Sequence, residues 1–246
     1  MKNIRVVTPL TAAGYRHPDD FKHLETETLR ITYSQVAHGP ESIEGRFDEA
    51  LCIPPAIGKI IEAEREGADA VVIDCLGDPG VEEGRECVSI PVVGPLETSS
   101  HIASMLAYKF SIVTVFDEVI PFFEGLVRKF ALQDKLASVR GLNIPVLELG
   151  ADPDRTLQRM IEESVRAIRE DGAHAIVFGC SGIDCTNELR DALSERGFDV
   201  PVIEPMPVAI KLAASLVDLG LRHSGRTYAR PRPKSIHGYD YIGGAQ

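Results

Sequence analysis

At 246 residues and 44% hydrophobic content, the chain is long enough to bury a substantial core. A formal net charge of −11 argues against nucleic acid as a partner, because phosphate binding needs concentrated lysine and arginine. No apolar run approaches bilayer length, and five irregularly spaced cysteines suit reduced thiols better than a disulfide framework, so a cytoplasmic protein without membrane contact is expected.

The run Ile4–Val7 is predicted as a first strand, apolar apart from Arg5 and closed by Thr8-Pro9. Residues 10–22 are turn-rich and polar. Leu29 to Val36 alternates as a half-buried strand does and leads into Gly39-Pro40-Glu41-Ser42-Ile43-Glu44-Gly45, flexible at both ends and expected to form a lid. The helical pattern that starts at Arg46 is expected to break at Pro54-Pro55, where the amides a helix needs are missing, and to restart and run to about Glu66. Ala68 to Gly77 reads as a fully buried strand that ends on Cys75 in a glycine-containing turn. Asp78 is placed to cap and Pro79 to open a helix immediately after that cysteine. A strand at Pro91–Gly94 and a helix over Ser99–Tyr108 follow.

The second half echoes the first. The strand Phe110–Val115 repeats Ile4–Thr8 at a spacing of 106 (114 − 8), and Ala173–Gly182, ending on Cys180, repeats Ala68–Gly77 at a spacing of 105 (180 − 75). The pattern places a helix over about 121–131, a strand at Ile144–Leu149, and an amphipathic helix over about 154–171 with Leu157, Ile161, Val165 and Ile168 at core spacing. A helix near 187–196, a strand opening at Pro201 and a helix near 207–219 complete it.

Strands alternating with helices predict parallel sheets, and the duplication predicts an α/β fold of two pseudo-symmetric Rossmann-like lobes with the active site in a cleft between them. Residues 1–97 plus 207–246 would form the first lobe and 98–206 the second. Ligands of parallel sheets sit at the C-terminal ends of the strands, where both cysteines fall.

One cysteine ending a buried strand is ordinarily an inert core residue. A matched pair with matched glycines suits a specific reaction: a thiolate removes a proton from carbon on one face and a thiol returns one to the other, inverting a stereocentre. Such a thiol needs its pKa lowered from about 8.5, which a following helix N-terminus would do. The amides of Leu76, Gly77 and Asp78, and of Ser181, Gly182 and Ile183, are candidates to hold the oxygen that becomes negative, so no cofactor is required. Thr8, Pro9 and Thr114 at strand ends and Ser42 in the lid are further candidate substrate contacts, with capping and turn-stabilising roles as the alternatives for Asp78 and Ser42. Cys52, Cys87 and Cys185 lack counterparts and read as structural. The seven histidines do not cluster at metal-ligand spacing, so no metal is expected, and Gly77, Gly80 and Gly84 fit no nucleotide-binding fingerprint. A two-lobed protein that binds a small molecule and releases it unchanged is the competing class. Arg222 to Lys234 holds five basic residues and no acid. This segment reads as an arm lying on its own or a neighbouring subunit, and a homo-oligomer is expected.

Cys75-Leu76-Gly77-Asp78-Pro79-Gly80-Val81, Gly179-Cys180-Ser181-Gly182, Gly39-Pro40-Glu41-Ser42-Ile43-Glu44 and the tail from Gly220-Leu221-Arg222 through Thr227-Tyr228-Ala229-Arg230-Pro231-Arg232-Pro233-Lys234 together resemble the hydantoin and allantoin racemase branch of the aspartate/glutamate racemase superfamily. The resemblance covers essentially the whole chain. It implies cofactor-independent racemisation next to a carbonyl of a five-membered cyclic ureide, a 5-substituted hydantoin or allantoin, with Cys75 and Cys180 as the acid/base pair. Amino-acid racemases of the superfamily typically follow their cysteines with Asn-Thr or Thr-His/Thr-Glu, unlike the Leu-Gly and Ser-Gly found here. Hydantoin racemases commonly have Asn-Pro-Asn-Thr where this chain has Thr8-Pro9-Leu10-Thr11. An aspartate/glutamate racemase or a maleate-type isomerase is the alternative within the superfamily.

Overall fold

The computed structural model describes residues 1–239, so residues 240–246 of the segment assigned to the first lobe lie outside the described ones. The first sheet is wholly parallel, in the order β2-β1-β3-β4, with β1 at Lys2–Thr8, β2 at Leu29–Gln35, β3 at Ala70–Ile73 and β4 at Val92–Val93. Its central strands are buried on both faces: Ile4, Val6, Val7 and every residue of β3 have no exposed surface. That is why β3 is a continuous aliphatic run rather than an alternating one. The second sheet repeats the order as β6-β5-β7-β8, with β5 at Phe110–Thr114, β6 at Leu136–Gly141, β7 at Ile176–Phe178 and β8 at Val202–Ile203. Phe110, Ile112, Phe178 and Leu189 centre its core.

Seven α-helices alternate with these strands among the described residues: α1 Arg46–Arg65, α2 Val81–Cys87, α3 Pro95–Leu106, α4 Ile120–Lys129, α5 Pro153–Glu170, α6 Thr186–Glu195 and α7 Pro205–Asp218. A proline opens α3 and α7 right after the closing strand of each sheet, a position where its missing amide costs nothing. The chain divides into two compact units. One holds Met1–Ile43, Phe47–Pro95 and residues 209–239, the other Glu44–Arg46 and Leu96–Val208. No helix among the described residues is long and apolar enough to cross a membrane.

Several local expectations are corrected. The helix α1 runs unbroken through Pro54 and Pro55. The carbonyls that lose a helical donor belong to Ala50 and Leu51, both exposed, so water can serve them. No strand forms at Ile144–Leu149. Asn143 turns the backbone to a φ of +56° and Pro145 offers no amide, and Val146–Glu148 closes as a single 3-10 turn. The sheet takes the more polar Leu136–Gly141 instead, as an edge strand. On α5 the buried residues are Thr156, Met160, Glu163, Ser164 and Ala167, and Leu157, Ile161, Val165 and Ile168 are half-buried. An ionic cluster turns the helix that way: Glu163, 4% exposed, is met by Arg140 from β6 and by Arg159 and Arg166 of its own helix. Arg140 also holds Asp171, whose carboxyl burial alone would raise but whose hydrogen bonds from Arg140 and Ser138 keep below its usual value.

The basic arm lies on its own unit, against β4 at the edge of the first sheet. His223 Nε2 accepts the amide of Val92 (2.9 Å), Tyr228 Oη accepts from Arg85 (3.1 Å), and Arg230 donates to the Cys87 carbonyl and to Ser89 Oγ. An edge covered this way is closed to strand addition.

Candidate active site

Each candidate cysteine stands two residues beyond the central strand that precedes it, Cys75 after β3 and Cys180 after β7. The two surroundings are built alike. The residue before the cysteine donates its amide to the neighbouring strand, Asp74 to Val7 O (2.8 Å) and Gly179 to Val113 O (2.7 Å). The cysteine carbonyl then accepts from the amide three residues on, Asp78 (3.1 Å) in one unit and Ile183 (3.3 Å) in the other, closing a β-turn. Leu76-Gly77 and Ser181-Gly182 are the central residues of these turns, and the Gly182 amide points at Cys180 Sγ (3.5 Å).

The helices do not begin at the cysteines. Both α2 and α6 start six residues later (81 − 75, 186 − 180), which corrects the expectation of a helix immediately after Cys75. Asp78 does not cap α2 and Pro79 is not its first residue: Gly80, left-handed at φ +75°, is the N-cap. Asp78 is itself left-handed (φ +52°), a conformation aspartate tolerates. Its carboxylate fills the space where Gly94 lacks a Cβ.

Thr8 and Thr114 end β1 and β5, and both are buried. Their hydroxyls are directed to the residue before the cysteine, Thr8 Oγ1 to Asp74 Oδ2 (3.1 Å) and Thr114 Oγ1 to the Gly179 carbonyl (3.1 Å). Pro9 is buried beside Thr8, while Leu76 and Gly77 are buried and Asp78, Ser181, Gly182 and Ser42 half-buried. The segment 39–45 that carries Ser42 is tied at both ends, Thr11 N to Pro40 O (2.9 Å) and Val146 N to Glu44 Oε1 (2.8 Å).

Two residues of this network escape sequence reasoning. Asp74 is 1% exposed and receives both prongs of Arg16, Nε to Oδ2 (2.8 Å) and Nη2 to Oδ1 (2.9 Å). Arg16 also reaches Asp20 and stacks on the rings of Tyr15 and Phe21. Burial would lower the affinity of Arg16 for its proton, but the charge and hydrogen bonds of Asp74 outweigh that and raise it. An acid within the run Ala70-Val71-Val72-Ile73-Asp74 is a signal in itself, since a buried carboxylate must be paired. Nothing local points to a partner 58 residues earlier (74 − 16).

All five cysteines are thiols. Burial, with help from nearby carboxylates, pushes Cys52 and Cys185 up to about 12 and Cys87 above its ordinary value, so these three are protonated at neutral pH. Among the described residues no group of His, Cys, Asp and Glu is placed to hold a metal.

Comparison with known proteins agrees with this architecture. Residues 21–213 match the family model Asp/Glu/Hydantoin racemase. The chain is 40% identical to a hydantoin racemase of Pseudomonas sp. (strain NS671), over 98% of this chain and 94% of that one. A hydantoin racemase of Rhizobium meliloti is 36% identical over 89% of this chain and 88% of its own. Among solved structures, the allantoin racemase from Klebsiella pneumoniae superposes with a TM-score of 0.90 at 30% identity, covering 98% of this chain and 99% of that one. The chain belongs to the Asp/Glu/Hydantoin racemase family.

Proposed function

We propose that this protein is a cofactor-independent racemase of 5-substituted hydantoins or a related cyclic ureide such as allantoin, working by proton transfer through Cys75 and Cys180. The observation that carries the reading is the pair of equivalent cysteine turns at the ends of β3 and β7, in a chain 40% identical to a hydantoin racemase. One cysteine, as thiolate, takes the proton next to the ring carbonyl, and the electron pair moves onto the carbonyl oxygen as an enolate. The turn amides of Leu76, Gly77 and Ser181 stabilise that oxygen, while those of Asp78 and Ile183 close the turns on the cysteine carbonyls. The other cysteine, as thiol, gives its proton to the opposite face of the carbon. The thiol and thiolate have then exchanged roles, ready for the reverse direction. Thr8 and Thr114 position the strand ends, and Pro9 and Ser42 contact the substrate.

The test follows a panel of enantiopure 5-substituted hydantoins, allantoin, aspartate and glutamate in deuterium oxide by NMR and polarimetry. Loss of the α-proton signal together with loss of optical rotation for a ureide is the expected result. Cys75→Ser and Cys180→Ser are each expected to lower racemisation by about 100-fold or more, the scale of a lost acid/base group. Unchanged racemisation by either variant would overturn the two-cysteine assignment. Activity is expected to survive chelators. Turnover of aspartate or glutamate alone would move the protein to the amino-acid racemases, and silence across the panel to a binding role.

The reduced thiols fit a cytoplasmic enzyme. Large apolar side chains stand exposed on α1, Phe47 at 74% and Leu51 at 48%, and at the end of α3, Met105 at 79% and Leu106 at 60%. These support assembly of identical subunits. Light scattering on the eluted protein should give a mass of more than one chain.

A further inference from the structure

The arm that covers β4 also forms an open pocket of about 280 Å³ against α2 and the turn that follows it. Arg85, Ser89, Arg222, His223, Tyr228 and Arg230 supply its polar lining, and among the described residues no acidic one lines it, in a chain of formal net charge −11. The concave surface is firmly built. Arg85 is 8% exposed and held by the Val92 carbonyl (Nε, 3.0 Å) and the Tyr228 hydroxyl (Nη1, 3.1 Å), with its guanidinium 5.4 Å from the centre of the Tyr228 ring. Arg230 is anchored on the Cys87 carbonyl and Ser89 Oγ. Arg222 enters the same wall with no hydrogen bond or ion pair among the described residues, so tying down the arm does not account for it.

Holding three guanidinium groups around one void costs mutual repulsion, and an oxyanion placed among them relieves it. The planar guanidinium fork matches phosphate oxygens two at a time, and the hydroxyls of Ser89 and Tyr228 add donors. We propose that this pocket binds a phosphate group, as the inorganic ion or as a small phosphate monoester, and that occupancy clamps the arm onto the edge of the first sheet. The site is distinct from the cysteine turns, and its ligand is read without turnover.

Isothermal titration of the full chain with inorganic phosphate and, in parallel, glycerol 3-phosphate at constant ionic strength tests the proposal and separates a bare ion from an ester. Saturable binding is expected, together with a thermal midpoint that rises with the logarithm of ligand concentration. R222Q should weaken binding about tenfold, the scale of one charge-assisted hydrogen bond, while its thermal midpoint without ligand stays that of the parent or rises slightly as the repulsion is relieved. R226Q, an arm arginine outside the pocket lining, should leave affinity unchanged. R230Q, which also loosens the arm, should lose both affinity and some thermal stability. Heats that follow ionic strength alone, full affinity in R222Q, or equal weakening in R226Q would each overturn the site.

Discussion

The two sheets share one strand order, yet the strand ends that carry the cysteines are supported by opposite means. Before Cys75 stands a buried carboxylate, Asp74, neutralised by Arg16 and hydrogen-bonded by Thr8. Before Cys180 stands Gly179, packed so tightly that a Cβ there would lie 2.5 Å from the Thr114 Cβ and 2.9 Å from its Cα. The backbone bonds are the same in both halves, Asp74 N to Val7 O and Gly179 N to Val113 O. One backbone register has thus been stabilised by charge in the first half and by close approach in the second. The first half should therefore be sensitive to loss of charge and the second to loss of space.

The largest effect expected from breaking this contrast is at Asp74. Asp74→Ala leaves the Arg16 guanidinium buried without its bidentate partner and should cost about 3–5 kcal/mol in urea unfolding. Replacing both members by uncharged residues, Arg16→Met with Asp74→Asn, should cost clearly less than Asp74→Ala alone. If Asp74→Ala costs under about 1 kcal/mol, the charge pair is not what holds this strand end.

Gly179→Ala is next, at about 1–3 kcal/mol for overpacking between central strands. Thr114→Ser should not rescue it, because the clash is with Cα and Cβ, which serine keeps. Gly80→Ala tests the turn after Cys75 rather than its packing. The site has room, with Ile53 O at 3.6 Å as the nearest atom, but φ is +75°. A cost of about 1–2 kcal/mol is expected from the left-handed backbone alone.

The smallest effect is on alkaline stability. Cys52 in the first unit and Cys185 in the second both have thiols pushed up to about 12 from an ordinary 9.0. A raised pKa stabilises the fold fully below the unfolded value, and that stability is lost as pH climbs from about 9 toward 12, because the unfolded chain ionises first. Each thiol should cost about 1–2 kcal/mol by pH 10 relative to pH 7. Unfolding midpoints across that range should fall less steeply in Cys52→Ala with Cys185→Ala than in the parent, and an unchanged slope would refute the assignment.

Much of the fold was legible because the central strands are locally unambiguous. Aliphatic runs such as Val71-Val72-Ile73 and Ile176-Val177-Phe178 have nowhere to go but the middle of a covered parallel sheet. Their repetition at 105 residues (180 − 75) makes the two sheets and both cysteine-bearing strand ends legible in the sequence. The edge was harder to read. Leu136–Gly141 carries Ser138 and Arg140 and looks less like a strand than Ile144–Leu149, but a strand needs a partner with unpaired groups, and β5 offered its edge to the former. The helix α1 runs through two prolines where the carbonyls they strand belong to exposed residues, a property of its orientation rather than of its sequence.

Local pattern by itself determined the central strands, most of the helices, the duplication and the place of Cys75 and Cys180 at equivalent strand ends, and the family was read from the resemblance of the motifs. The first group follows from periodicity, turn chemistry and repetition, all of which act between residues near in sequence or at a constant offset. Only the tertiary structure decided that Asp74 would be neutralised by Arg16, that Glu163 would be buried among Arg140, Arg159 and Arg166, and that the basic arm would close over β4 and Arg85. A buried charge announces that it needs a partner, but many residues of opposite sign could supply it. Which one does is settled by the path of the backbone through space.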